Sequence, residues 1–271
     1  AAHRHGVDLA SEIELAYRWE QDRDGGPRPI LAITGTDGKT TTTLLTVEML
    51  RAGGVRTIDA GNTDTPLVDA IDLDVDAFVV ECTSFRLAWT PTFRAEAAAW
   101  LNLAPDHLNW HTSMASYEAA KGRIFANQRT DDTSIGSAND PVVIRHLEQS
   151  AARHVTFGLD RGDYRRSTTG GREVLTGPHG TLADVGAMRR ALPHDITNAL
   201  AASALVLESG LVQTDAVGTA LATFVGPKHR LEHLADIDGV GWYNDSKATT
   251  PHAASAAIRS LSLIHISEPT R

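Results

Sequence analysis

Cysteine is nearly missing. Cys82 is the only one in 271 residues, which excludes a disulfide framework and a cysteine-based zinc site. No apolar run is long enough to span a bilayer, and the opening "AAHRHGVDLA" lacks the apolar core of a secretory signal. Basic blocks are missing as well. With a formal net charge of −9, a nucleic-acid-binding surface is not expected. A nucleotide site is still open to such a chain, because local field counts for more than net charge. Internal repeats and low-complexity tracts are absent. The expectation is a cytoplasmic monomer with small-molecule partners.

What is present suits a globular enzyme. Hydrophobic residues make up 42% and charged residues 22% of the chain, enough apolar material for a real core. At roughly 150 residues per domain, the length suggests about two domains. A polar start holds one amphipathic helix candidate, "SEIELAYRW" (Ser11–Trp19), before the breaker "GGPRP". Buried strands are then expected at "ILAIT" (Ile30–Thr34), "AFVVE" (Ala77–Glu81) and "AAAWLNL" (Ala97–Leu103). Helical patterns alternate with them at Lys39–Ala52 and Ser113–Asn127. This alternation predicts an α/β domain with a mostly parallel sheet. Small hairpins are expected across Gly158–Leu192, and helices again at Asn198–Ser209 and Thr214–Phe224. "GPKHR" (Gly226–Arg230) then reads as a hinge into two short strands and a helix at Pro251–Ser260.

The chemistry starts at "LAITGTDGKTTTT" (Leu31–Thr43). A helix N-terminus exposes unpaired N–H groups and the positive end of its dipole, so it favours an anion. Gly35 and Gly38 let the backbone approach, Lys39 adds a charge, and the hydroxyl of Thr40 can ligate Mg²⁺. The spacing T-G-x-x-G-K-T is a shorter form of the common phosphate-binding loop. Threonines in a first turn also cap exposed N–H groups. Four further patterns lie along the chain. Glu81 ends a strand in "VVECTSFRL", where a carboxylate can face the same crevice as the loop and suits a hard cation, or can simply be solvated. "LNLAPDHLNWH" carries His107, a ligand or a hydrogen-bonded core residue, and His111, without assigned role. Lys121 follows on a helix face that reads as exposed. "HDITNALAA" and "HRLE…NDSKATTPHAA" place polar groups at helix starts and a strand–loop–helix junction.

Taken in order, "TGTDGKTT", "VVECTSFRL", "LNLAPDHLNWH", "YEAAKGRIF" and "HRLE…NDSKAT" resemble the Mur ligase family, the ATP-dependent amide-forming enzymes of peptidoglycan precursor synthesis. "NDSKAT" is similar to the members that add D-glutamate to UDP-N-acetylmuramoyl-L-alanine. The resemblance implies a P-loop-type ATP-binding central domain followed by a Rossmann-like α/β domain. It also implies ATP with a pair of Mg²⁺ ions, an acyl phosphate on the substrate carboxylate, and attack on it by the amine of D-glutamate. By the same resemblance Gly35, Thr36, Asp37, Gly38, Lys39, Thr40 and Thr41 form the phosphate loop. Lys39 contacts the phosphates, Thr40 and Glu81 bind metal, and His107 ligates the second ion. Lys121 matches a lysine carbamylated in the family, which turns a cation into an anionic oxygen ligand. Asn62 matches a substrate-side asparagine. Asn198, Arg230 and Asp245 would reach the nucleotide, with Lys247 and Thr249 on the closing face.

This sequence departs from the family pattern in places. Asp37 and Asp195 stand where amides are usual, Asn109 where Asp is usual, and Thr250 follows "SKAT" in place of Asn. "GNTDTP" replaces a "GNIG-P" pattern and "ECTSFRL" replaces "ELSSFQL". By resemblance, residues 1–27 end a missing N-terminal UDP-binding domain and 28–225 form the central domain. Residues 226–262 begin the D-glutamate-binding domain, and 263–271 read as a non-native tail. Such a piece alone is not expected to turn over. Two other readings are a truncated ATP-binding module without ligase activity and a folylpolyglutamate-synthetase-like ligase.

Overall fold

A computed structural model describes residues 8–249 and 251–261, without the side chains of 251–253. Thr250 and the 263–271 tail lie outside the described residues. Ile30–Thr34 (β1) is buried along its whole length. Successive side chains of a strand point to opposite faces, so Leu31 and Ile33 enter one core while Ile30 and Ala32 enter another. β1 runs parallel to Ala77–Glu81 (β3) on one side and Ala97–Trp100 (β4) on the other. Thr57–Gly61 (β2) lies outside β3, while Thr133–Ser137 (β5) and Arg153–Gly158 (β6) continue beyond β4, all parallel. The expected hairpins are Tyr164–Thr169 (β7), Arg172–Gly177 (β8) and Gly180–Asp184 (β9), which extend this sheet to nine strands.

Helices cover both faces. Lys39–Ala52 (α2), Pro193–Glu208 (α7) and Thr214–Thr223 (α8) pack on one side through Leu45, Leu50, Leu200, Leu205 and Leu221. Glu12–Gln21 (α1), Leu67–Ala70 (α3) and Pro141–Glu148 (α6) pack on the other through Ile13, Tyr17, Leu67 and Leu147. Two short helices, Ser84–Leu87 (α4) and Met114–Gly122 (α5), follow strands β3 and β4. The order β2-β3-β1-β4 puts β1 where the chain changes direction across the sheet. Ligands of open α/β sheets bind in the crevice outside the strand ends at such a point.

Three strands went unread in the sequence: β2, β5 and β6. β5, "TSIGS", is buried throughout yet mostly polar. Thr133 and Ser134 are satisfied internally, Thr133 Oγ1 accepting from Arg153 Nη2 at 3.1 Å and Ser134 Oγ lying 2.5 Å from Gln128 Oε1 and 2.7 Å from Ser150 Oγ, so the strand lacks the apolar pattern of a core strand. β4 ends at Trp100, short of the expected Leu103, and α5 ends at Gly122, short of Asn127. Gly122 packs on the His146 ring, where a Cβ would stand 2.7 Å from Nδ1.

The N-terminal helix belongs to the core. Glu14 on α1 is fully buried, and its carboxylate accepts the backbone N–H of Phe93 at 2.9 Å and of Thr92 at 3.1 Å. Glu20 receives Arg28 in a fork, Nε to Oε1 at 2.9 Å and Nη2 to Oε2 at 2.8 Å. After the hinge, Glu232–Ile237 (β10) and Val240–Asn244 (β11) form a separate antiparallel pair. Pro251–Ser260 (α9) then returns toward α7.

Candidate functional site

β1 delivers the chain into the loop at its C-terminal end. Gly38 takes the left-handed conformation (φ 85°) as the cap of α2, and a Cβ there would lie 2.6 Å from Asn198 Oδ1. Only glycine fits both conditions. Asn102, just past β4, braces the loop from the next strand. Its Oδ1 accepts the N–H of Thr36 at 3.0 Å and of Asp37 at 2.9 Å, and its Nδ2 donates to Asp37 O at 3.1 Å. Thr36 Oγ1 donates to Ala104 O at 3.1 Å and lies 3.2 Å from Tyr117 Oη.

The four threonines divide their work. Thr40 lines the cleft in front of the loop, and Thr41 lines the cavity beside it. Thr42 is fully buried and donates to Asn198 Oδ1 at 3.3 Å, while Thr43 is buried in the helix packing. A first turn that buries small polar side chains lets α2 sit close against α7.

The cleft measures about 290 Å³. Thr36, Asp37, Gly38, Lys39 and Thr40 form its floor, with Asn62 and Glu81 from the ends of β2 and β3. His107 forms one wall, and Arg230, Lys247 and Thr249 close it from beyond the hinge. A neighbouring cavity of about 260 Å³ takes Asp37, Gly38, Thr41, Asn198, Arg230 and Asp245, with Arg190 and His194. Nearly every residue singled out in the sequence meets here. Gly35 and Lys121 lie just beneath the floor.

Lys39 and Lys121 converge on one oxygen. Lys39 Nζ donates to Gly35 O and Thr36 O, both at 2.9 Å, and Lys121 Nζ donates to Gly35 O at 2.6 Å. Burial is the main cause that lowers the pKa of each amine. In Lys121 the neighbouring Lys39 charge adds to it, bringing the amine well below the ordinary lysine value. Lys121 is only 1% exposed, so the exposed helix face read from the sequence is corrected. Lys121 follows Tyr117 by four residues and so shares the buried face of α5, its Nζ 4.8 Å from the Tyr117 ring centroid and capped by the loop carbonyl of Gly35.

Glu81 is also buried, at 1% exposure. Asn62 Nδ2 donates to its Oε1 at 2.9 Å, and its Oε2 is buried with no hydrogen-bond partner among the described residues. A buried carboxylate oxygen left over at a cleft is costly unless something binds it. His107 stands half-exposed in a left-handed conformation (φ 54°), its Nε2 3.2 Å from Asp106 Oδ2 and its ring 4.8 Å from Phe85. His111 is the contrary case. It is buried, 2.9 Å from Ser84 Oγ, and burial lowers its pKa, so it belongs to the packing.

These donors fit Mg²⁺. The described residues hold no cluster of three or more acidic, histidine or cysteine side chains ready for a metal. Mg²⁺ needs none, being held by one or two carboxylates plus phosphate oxygens and water. Glu81 Oε2 and the Thr40 hydroxyl are such oxygen donors on the cleft, with the His107 imidazole on its wall. Asp195, which stands where an amide is usual, has its carboxylate taken by Arg190. Asn102 and Arg190 were not singled out in the sequence. The signal for Asn102 was available in "WLNL", a polar residue just past a buried strand.

Over residues 33–206 the chain matches the family described as Mur ligase middle domain. It is 44% identical over 262 residues to a protein of Frankia casuarinae named UDP-N-acetylmuramoylalanine–D-glutamate ligase, across 93% of this chain and 53% of that one. A Streptomyces coelicolor protein of the same name is 37% identical over 273 residues, across 95% and 57% of the two chains. The chain spans about half the length of the curated relatives it matches. Its fold is like that of MurF ligase from Thermotoga maritima in complex with ADP, with a TM-score of 0.73 at 17% identity over 92% of this chain and 60% of that one. No described helix is long and apolar enough to cross a membrane. The family match takes in the phosphate loop, β3 with Glu81, α5 with Lys121 and most of α7, and the chain belongs to the Mur ligase family.

Proposed function

We propose that this chain is the nucleotide-binding part of an ATP-dependent ligase joining D-glutamate to UDP-N-acetylmuramoyl-L-alanine. The observation that carries it is the pairing, across one cleft, of a strand–loop–helix phosphate site with the unpartnered carboxylate oxygen of Glu81. An anionic carboxylate attacking an anionic γ-phosphate needs positive charge held between them. Lys39 has only to turn from two peptide oxygens to the phosphates. Thr40, Glu81 and His107 would hold Mg²⁺, which supplies Lewis-acid charge stabilisation when bound. Burial favours an uncharged Lys121 amine, the form that reacts with CO₂, and a carbamate there would add an anionic oxygen donor beside the loop. Asn62 stands on the side of the carboxylate substrate, Asn198 and Asp245 on the side of the base and ribose, and Lys247 and Thr249 on the closing face.

Two measurements test this. The chain should bind ATP or ADP with Mg²⁺, and Lys39→Ala should weaken that binding at least tenfold. A version extended to the relatives' full length should release phosphate only when UDP-N-acetylmuramoyl-L-alanine and D-glutamate are both present. Binding without dual-substrate turnover would leave a nucleotide module. Unchanged affinity in Lys39→Ala would overturn the assignment of the loop.

A further inference from the structure

Arg190 sits between two parts of the molecule and uses every arm of its guanidinium. It lies in the segment between β9 and α7. Nε donates to Asp195 Oδ2 at 2.8 Å and Nη2 to Asp195 Oδ1 at 2.7 Å. Nη1 donates across the hinge, to Arg230 O at 2.9 Å and Leu231 O at 2.8 Å. Asp195 is itself fixed, since its Oδ2 accepts the N–H of Leu192 at 3.1 Å at the start of α7. The planar fork of arginine suits this use, because a carboxylate held bidentately sets the direction of the remaining nitrogen.

The segment so held is under strain. His229 (φ 65°) and Leu231 (φ 44°) flank Arg230, and both take the left-handed conformation that residues with side chains rarely adopt. Such a conformation persists where the surroundings over-determine it, and it clusters at ligand clamps. Arg230 reaches from this segment into both the phosphate cleft and the cavity beside it. Its Nε is buried with no hydrogen-bond partner among the described residues. A guanidinium nitrogen left over at the junction of two cavities is a donor awaiting an anion.

We propose that Arg190, braced by Asp195, is a positioning residue that holds the Arg230–Leu231 backbone so that the Arg230 side chain meets the nucleotide. The proposal rests on the nucleotide reading of the cleft. It explains why a carboxylate at position 195 does not repel the triphosphate, since its charge is spent on Arg190. It also makes residues 190 and 195 a matched pair acting through Arg230.

The test uses the 271-residue chain, with ADP–Mg²⁺ affinity by calorimetry and amide hydrogen exchange of the free protein. Arg190→Gln should weaken ADP binding about tenfold, the scale of lost charge-assisted hydrogen bonds. It should also speed exchange at residues 229–231 while β1 and β3 exchange as before. Arg190→Lys should recover only part of the affinity, because one ammonium cannot span the carboxylate and both carbonyls. Asp195→Asn should weaken binding by itself and add nothing in the Arg190→Gln background. Additive losses would show Asp195 acting on the nucleotide directly and would overturn the proposal. So would unchanged exchange at 229–231 in Arg190→Gln, or full affinity in that variant. If the unaltered chain bound no ADP, the nucleotide reading would fail, and the proposed role with it. Exchange at 229–231 would then report the Arg190 brace alone.

Discussion

Lys121 shows how far one side chain can differ from its appearance in a linear pattern. Its nitrogen is buried against Gly35 O and 4.8 Å from the Tyr117 ring centroid. Lys121→Ala therefore removes packing as well as chemistry, and should cost about 2–3 kcal/mol of stability, the lower range for truncating a large buried side chain. Lys121→Met keeps the volume and should stay within about 1.5 kcal/mol of the parent. Both should abolish phosphate release in a full-length version, and acetate or formate should restore part of it in the alanine variant alone, where there is room. Urea denaturation reads the first comparison and phosphate release the second. Near-native turnover by Lys121→Met would remove the residue from the site. Gly38→Ala is a separate test of loop geometry. The left-handed backbone costs a residue with a Cβ about 1–2 kcal/mol, and the new methyl would press on Asn198 Oδ1. Lower nucleotide affinity together with a lower denaturation midpoint is the expected outcome.

Among the elements, α1 and α7 make the clearest predictions. Glu14→Ala would orphan the N–H groups of Thr92 and Phe93 and should destabilise the whole sheet by about 2–3 kcal/mol, measured by chemical unfolding. A freely connecting helix would give almost no change. His194, at the first turn of α7, has its Nδ1 2.9 Å from Ser260 Oγ on α9. Burial lowers its pKa, so between the folded and unfolded values the unfolded chain holds the extra proton. Stability from this group is present above about pH 6.5 and is lost as pH falls through the folded value. The acid-side slope between pH 7 and 5 should flatten in His194→Gln, with denaturation midpoints taken at each pH. These elements also mark how much the sequence disclosed. β1, α2, β3 and the two strands after the hinge were legible because apolar runs or breakers bounded them. The loop was legible because its chemistry demands particular residues at particular spacings. β5 was not, because internal hydrogen bonds replace apolar side chains there. The Arg190–Asp195 pair was not, because its partners are backbone carbonyls 40 and 41 residues away.

At the scale of the whole molecule, the cleft is closed by groups from two parts of the chain, the loop after β1 and the end of β3 from below and Arg230, Lys247 and Thr249 from beyond the hinge. A ligand bound there ties the two parts together. Saturating ADP–Mg²⁺ at 100 times its Kd should raise stability by about 2.7 kcal/mol, and at the same concentration the gain should fall to about 1.4 kcal/mol or less in Lys39→Ala. A shift in the thermal midpoint with nucleotide concentration checks this. The β10–β11 pair carries Leu234, Ile237, Val240 and Trp242 with more than half of each exposed. Trp242→Lys should then leave the unfolding midpoint within about 0.5 kcal/mol of the parent, as for an ordinary surface change. One last consequence belongs to the loop at rest. Two amines already share the Gly35 carbonyl, so an arriving phosphate trades one set of contacts for another. Calorimetry should record a heat of association smaller than a fresh pair of ionic contacts would release, with the affinity owed more to water set free from the phosphates.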